Sequence, residues 1–95
     1  MNKYEAMFIV KPDLPEEERK VLFSQISEAV SKHKGEISSA AVWAEKRKFH
    51  FPLKKQLEGL YYLMDFTLPP AAVGELKQAY KLNENILRVL VTRNE

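Results

Sequence analysis

The stretch Asn85-Ile86-Leu87-Arg88-Val89-Leu90-Val91-Thr92-Arg93 decides the fold of this chain. It is an apolar run of strand length that is interrupted by Arg88 and ended by Arg93. A guanidinium is rarely left inside a core, because removing an unpaired charge from water is costly. One face of this predicted strand must therefore meet something polar.

Patterns upstream of this stretch predict three further strands and two helices. Short aromatic and β-branched runs bounded by Pro or Gly predict strands at Tyr4–Val10, Glu36–Phe51 and Leu60–Leu68. Apolar residues at helical spacing predict helices over Pro15–Lys34, with Gly35 as the C-cap, and from Pro69-Pro70 to about Lys81. The last strand spans about Ile86–Thr92.

Two features of the second and third strands are predicted from individual residues. Pro52 is expected to end the second strand and Gly59 to open the third. The second strand is also expected to bend or bulge around Ala44 to Lys46.

The predicted order is β-α-β-β-α-β in a single domain of 95 residues. Right-handed crossovers fold this order into a four-stranded antiparallel sheet with both helices on one face, the ferredoxin-like sandwich. The other face is open, and alternation predicts which side chains lie on it. These are Met7, Ile9, Tyr61, Leu63, Asp65, Arg88 and Leu90. Such an apolar surface is typical of docking to another macromolecule.

Composition predicts a soluble, cytosolic protein without disulfides. The chain is 45% hydrophobic and 29% charged, has no Cys, and lacks both a signal peptide and an apolar run long enough to span a membrane. The net charge is only +2, from 15 basic against 13 acidic residues. The distribution of charge is more informative, because Lys46, Arg47, Lys48, Lys54 and Lys55 lie in a segment without an acid.

The sequence contains no arrangement of residues that is typical of a catalytic or cofactor site. The chain has two histidines, His33 on the apolar face at the end of the first helix and His50 in the second strand, and each is expected to be a partly buried or surface histidine and not a catalyst. No spacing of His, Cys or carboxylates indicates a metal, and the loop after the first strand has no Gly to cradle a phosphate. We therefore expect no catalytic residues, no cofactor and no small-molecule substrate.

Two binding modules of the same topology are alternatives. Glu58-Gly59-Leu60-Tyr61-Tyr62-Leu63 partly matches the RNP1 motif of an RRM, but it begins with an acid, and alternation places Leu60 and Tyr62 on the core side. A regulatory or protein-interaction module that dimerises through its open sheet face also fits the topology.

Several segments resemble the bacterial small-subunit ribosomal protein family numbered six. They are Tyr4-Glu5, Pro12, Gly35, Arg47-Lys48-Phe49-His50-Phe51-Pro52-Leu53, Glu58-Gly59-Leu60-Tyr61-Tyr62, Pro69, Leu76 and Asn85-Ile86-Leu87-Arg88-Val89-Leu90-Val91. The resemblance implies a non-enzymatic ribosome component that pairs with the neighbouring small-subunit protein numbered eighteen. It also implies that the pair binds a helical junction in the central domain of the small-subunit rRNA during assembly.

Site residues are predicted for both kinds of contact. Phosphate contacts with rRNA are predicted for Lys3, Lys46, Arg47, Lys48, Lys54, Lys55, Arg88 and Arg93. The protein partner is expected to dock on aromatic and apolar anchors, since such residues dominate interface energies: Trp43, Tyr61 and Leu63.

Overall fold

The structure, a computed structural model, describes residues 1–53 and 56–94, and the side chains of these except 49–53. Within this part of the chain the strands are β1 (Asn2–Val10), β2 (Glu36–Leu53), β3 (Gln56–Leu68) and β4 (Ile86–Arg93). The helices are α1 (Glu16–Lys32) and α2 (Val73–Lys81), the latter preceded by a 3₁₀ turn at Pro70–Ala72. Neither described helix is long and apolar enough to cross a membrane.

The strands form one antiparallel sheet in the order β2-β3-β1-β4. The first strand is central, paired with β3 on one side and with β4, the last strand, on the other. Side chains of both helices join those of one sheet face in a single core. The predicted ferredoxin-like sandwich is therefore confirmed.

The core shows why the chain folds this way. Even-numbered residues from Tyr4 to Val10 on β1 and from Leu60 to Leu68 on β3 are buried, and they meet the apolar stripes of the helices. The ring of Tyr80 packs edge-on against Phe8 with centroids 4.9 Å apart, and its hydroxyl donates to the carbonyl oxygen of Ile26 at 2.7 Å. Burial, with a smaller contribution from Tyr62, raises the pKa of the Tyr80 phenol, which stays protonated. One side chain thus joins α2, α1 and the sheet.

The boundaries of the second and third strands differ from prediction. β2 continues through Pro52 to Leu53, and β3 begins at Gln56 and not near Gly59. Pro52 does not end β2 because that strand lies at the sheet edge, where a residue without an N–H is tolerated. The pairing of β2 with β3 therefore extends beyond the other two strands as a long hairpin.

The predicted irregularity of β2 is confirmed. The register of β2 against β3 shifts between Val42 and Ala44 and again between Ala44 and Arg47. Extra residues on one strand bend it and change the direction of its side chains. The bend falls where the hairpin leaves the main sheet.

The end of α1 corrects the role predicted for Gly35. The helix stops at Lys32, and the left-handed residue is Lys34, with φ of 65°. The amides of Lys34 and Gly35 donate to the carbonyl oxygens of Ser31 and Val30, at 3.0 and 2.9 Å, as in a Schellman motif. Gly35 is needed for a different reason, since a Cβ there would lie 2.5 Å from the carbonyl oxygen of Thr67.

This close approach gives a first prediction. Gly35→Ala is expected to lower the free energy of unfolding by about 1–3 kcal/mol, because the added methyl group meets backbone that cannot move aside. Gly74→Ala is the control, because a Cβ at Gly74 meets nothing within 4 Å and alanine favours a helix by up to about 1 kcal/mol. Urea denaturation measures both. Equal stability of the two variants would contradict the assigned role of Gly35.

Candidate macromolecular interface

The sheet face away from the helices, here called the open face, is built from three cross-strand rows. The arginine row consists of Tyr61, Ile9 and Arg88, the apolar row of Ala41, Leu63, Met7 and Leu90, and the carboxylate row of Ser39, Asp65, Glu5 and Thr92. Neighbouring rows are two residues apart along each strand, or about 7 Å. The open face is therefore polarised from one end to the other.

The arginine row owes its composition to a bulge in β4. The register of β1 against β4 shifts between Ile9, which pairs with Arg88, and Val10, which pairs with Ile86. Ile86 is buried in the core, whereas Arg88 is exposed on the open face, as predicted. Without the bulge, two residues at even separation would share a face.

Ile9 was predicted to lie exposed on the open face, and the structure confirms its position but not its exposure. Its position on the open face is as predicted, but only 4% of it is accessible. Its neighbours in the row are Tyr61 on β3 and Arg88 on β4. Long side chains on both adjacent strands shield the shorter one between them. Ile9 therefore packs beneath the side chains of Tyr61 and Arg88 and does not itself offer a contact surface.

An aromatic cluster of Trp43, Tyr61 and Arg47 borders the arginine row. The two rings meet edge to face with centroids 5.7 Å apart. The guanidinium carbon of Arg47 lies 4.8 Å from the Trp43 ring centroid and 5.7 Å from that of Tyr61. Such cation–π contacts stabilise exposed sites by about 0.5–1 kcal/mol and hold the guanidinium in place. Arg47, predicted to contact RNA, is thus joined to two residues predicted to contact a protein.

The carboxylate row places two acids opposite one another. Asp65 and Glu5 are direct cross-strand partners, and like charges in that arrangement are destabilising. The Ser39 hydroxyl donates to Oδ2 of Asp65 at 3.0 Å. Among the described residues, Oδ1 of Asp65 is buried with no hydrogen-bond partner. Sequence analysis placed Asp65 on this face but did not name Glu5, although alternation from Met7 and Ile9 places it there; only its position opposite Asp65 depends on the register of the folded sheet.

The remaining basic residues lie off the three rows. Arg93 pairs with Tyr4, a core residue, so it faces the helix side and lies about 17 Å along β4 from Arg88. Lys3 is adjacent to that end of β4, because its carbonyl oxygen accepts from the Asn94 amide at 2.8 Å. As an odd-numbered residue of β1 paired with Thr67, however, it lies on the open face, one row beyond Glu5. The structure therefore separates Arg88 from Lys3 and Arg93, which had been predicted to act on the same ligand.

The basic residues of the hairpin lie at the other end of the sheet. Lys46 Nζ is 3.6 Å from Oδ1 of Asp13, and next to it Glu45 forms a 3.0 Å ion pair with Arg19 of α1. Exposed pairs of this kind contribute at most about 1 kcal/mol, so Lys46 can exchange its partner for a phosphate. Lys48 is exposed on the same hairpin. Lys54 and Lys55, also predicted to contact RNA, lie outside the described residues.

The described residues contain no group of side chains that would hold a metal ion. His33 has structural contacts, with Nδ1 2.8 Å from the Ala29 carbonyl oxygen and Nε2 3.4 Å from Oε2 of Glu75. The side chain of His50 is outside the described part. The fold and the open face together define a ferredoxin-like protein in which the described helices cover only one face of the sheet.

Comparison with known proteins identifies the family. The model of the family described as ribosomal protein S6 matches residues 3–93. Small ribosomal subunit protein bS6 of Caldanaerobacter subterraneus subsp. tengcongensis is 38% identical over 95 residues, covering 100% of this chain and 99% of that protein. The bS6 protein of Dictyoglomus turgidum is 37% identical over 92 residues, covering 97% and 94%.

Solved structures agree with this assignment. The crystal structure of 30S ribosomal protein S6 from Thermotoga maritima superposes with a TM-score of 0.87 at 32% identity, covering 98% of this chain and 87% of that one. The C-terminal domain of MgtC from Mycobacterium tuberculosis, at 10% identity and a TM-score of 0.66, shares the fold alone. The chain belongs to the ribosomal protein S6 family. Its role is structural, within the ribosome, and the expectation that it is not an enzyme is confirmed by the family.

The two sheet faces give a second prediction. Met64 is 1% accessible on the core side, and Leu63, its neighbour, is only half-buried on the open face. Met64→Asp is expected to unfold the domain, because it places an unpaired carboxylate in the core at a cost of several kcal/mol. Leu63→Asp is the matched control and is expected to remain folded. Thermal melts followed by circular dichroism distinguish them, and the reverse order of stability would mean that the two faces are assigned wrongly.

Proposed function

We propose that this chain binds the central domain of the small-subunit rRNA together with the neighbouring small-subunit protein numbered eighteen, during cytoplasmic assembly of the subunit. The relatives named small ribosomal subunit protein support a place in that subunit. The observation that carries the proposal is the open face, with an apolar row that the chain does not cover by itself.

The protein partner is assigned to the open face. Trp43 is 55% exposed and Leu90 46%, and Tyr61 and Leu63 lie between them. A surface of this kind is rare on a monomer unless it is an interface, and aromatic side chains held by neighbours are typical anchors. Trp43, Tyr61 and Leu63 are therefore proposed as the residues on which the partner docks.

The RNA is assigned to basic residues off the three rows. At one end of the sheet these are Lys3 and Arg93, and on the hairpin they are Lys46, Lys48, Lys54 and Lys55. These side chains supply phosphate contacts, which position a protein on RNA without reading its sequence. A net charge of +2 gives weak attraction to RNA, so the joint surface with the partner provides most of the affinity.

The third prediction tests this assignment with a purified central-domain rRNA fragment and equimolar protein eighteen. The variant Lys3→Ala/Arg93→Ala is expected to bind less tightly and to lower the slope of log affinity against log salt by about 0.7–0.9 per lost phosphate contact. The control is Lys20→Ala/Lys81→Ala, which removes the same charge from exposed helix positions. An unchanged slope in the folded Lys3/Arg93 variant would contradict the assigned RNA contacts.

The same preparation tests the partner. Gel filtration of the wild-type chain with protein eighteen is expected to give a 1:1 complex, and Leu63→Asp is expected to abolish it. Self-association of the wild-type chain through this face, with no complex, would instead favour a module that dimerises through its open sheet.

A further inference from the structure

The charges on the open face are segregated in a way that the proposed function does not explain. Arg88 and Arg47 lie at one end of the face, at the arginine row and the aromatic cluster. Glu5 and Asp65 form the carboxylate row toward the other end, and Lys3 is the next residue of β1 on this face beyond them. The two rows are four residues apart along β1, or about 13–14 Å, with the apolar row between them. A ligand covering the face therefore meets both signs of charge.

This arrangement does not suit a nucleic acid. Phosphates are spaced along an RNA backbone with the same sign everywhere, so a strand that met Arg88 would carry further phosphates over Glu5 and Asp65. Phosphates lying over the carboxylate row would be well within one Debye length of Glu5 and Asp65, about 10 Å at 0.1 M salt, so salt would screen their repulsion only partly. The apolar row, in turn, contributes nothing to phosphate binding. A polypeptide can match all three rows.

We infer that the open face is a polarised protein-docking surface on which Arg88 and Arg47 bind carboxylates of the partner while Glu5 and Asp65 bind a lysine or arginine. This inference rests on the proposed function for the partner's position and goes beyond it in the partner's chemistry. It also moves Arg88 and Arg47 from the predicted RNA contacts to the protein interface.

The geometry specifies the partner's segment. It carries an acid, an apolar residue and a base in that order, spread over about 13–14 Å. In an extended strand the two charges are about four residues apart, and in an α-helix about nine. Reversing the segment would place acid on acid and base on base, and like charges set against one another suppress binding in a close interface. The face therefore fixes the direction in which the partner lies as well as its position.

The carboxylate row has the properties of an unfilled cation site. Oδ2 of Asp65 accepts from Ser39, Oδ1 is buried without a donor in the described structure, and Glu5 lies directly opposite and exposed. Mutual repulsion of the two carboxylates destabilises the free chain. A bound guanidinium or ammonium group removes that repulsion. The same acids that weaken the free sheet thus strengthen the complex.

The fourth prediction uses calorimetric titration of purified protein eighteen into the chain, without RNA. Arg88→Glu and Glu5→Lys are each expected to weaken binding at least tenfold, because each sets like charges against one another. Lys20→Glu makes an equal change of charge on an exposed position of α1, away from the face, and is expected to bind within twofold of the wild type.

A second readout separates binding from mere support of the fold. Glu5→Gln removes one of the opposed charges, so it is expected to raise the melting temperature of the free chain while weakening the complex. A residue with only a structural role would not change the two quantities in opposite directions.

Three results would contradict the inference, and they differ in what they imply for the proposed function. Wild-type affinity in folded Arg88→Glu and Glu5→Lys overturns this inference and leaves the proposed function standing. Normal binding of protein eighteen by Arg88→Glu, with a lower salt slope for rRNA, assigns Arg88 to RNA and also overturns it. Failure of the wild-type chain to bind protein eighteen overturns the proposed partner and this inference together.

Discussion

The pairing of β1 with β3 is the constraint on which the rest of the structure depends. The nine residues from Asn2 to Val10 pair with Leu68 to Leu60 in an unbroken antiparallel register. Because side chains alternate strictly along such a pair, even positions build the core with α1 and α2, and odd positions build the open face. A slip of β1 by one residue against β3 would turn Phe8 toward the open face and Glu5 toward the core. The hydrophobic cost of that slip keeps the rows of the open face aligned.

Register shifts on the two outer strands, β2 and β4, change the direction of particular side chains relative to the regular pairing of β1 with β3. The bulge at Ile9 and Val10 lets β4 put Ile86 in the core and Arg88 on the open face. The shifts in β2 bring Trp43 and Arg47 together against Tyr61. Each of these irregularities interrupts the regular hydrogen bonding and changes the direction of the neighbouring side chains. The central strands thus keep a regular register, and the irregular outer strands bring Arg88, Trp43 and Arg47 to the open face.

Sequence reasoning reached the fold and the faces of β3 because both depend on local patterns. Alternation along Leu60–Leu68 predicts the core side directly, and parity alone separates Arg88 from Arg93, since five positions on a strand end on opposite faces. Other features depend on residues distant in the chain. The need for Gly35 comes from Thr67, the burial of Ile9 from Tyr61 and Arg88, and the carboxylate pair from the register of β1 with β3. No local pattern contains these contacts. The extent of the hairpin was missed for a related reason, because Pro52 ends a strand only where its N–H would be needed.

The central claim is that the three rows of the open face of this S6 family member are covered by protein and not by RNA. Hydroxyl-radical footprinting of side chains tests it most directly, because Met7, Trp43 and Tyr61 on or beside the rows are readily oxidised. Oxidation is measured by mass spectrometry in the free chain, with protein eighteen alone, and in the assembled small subunit. The account predicts that protein eighteen alone protects all three residues and that assembly adds no further protection to them. Protection of these residues only after rRNA is added would contradict it.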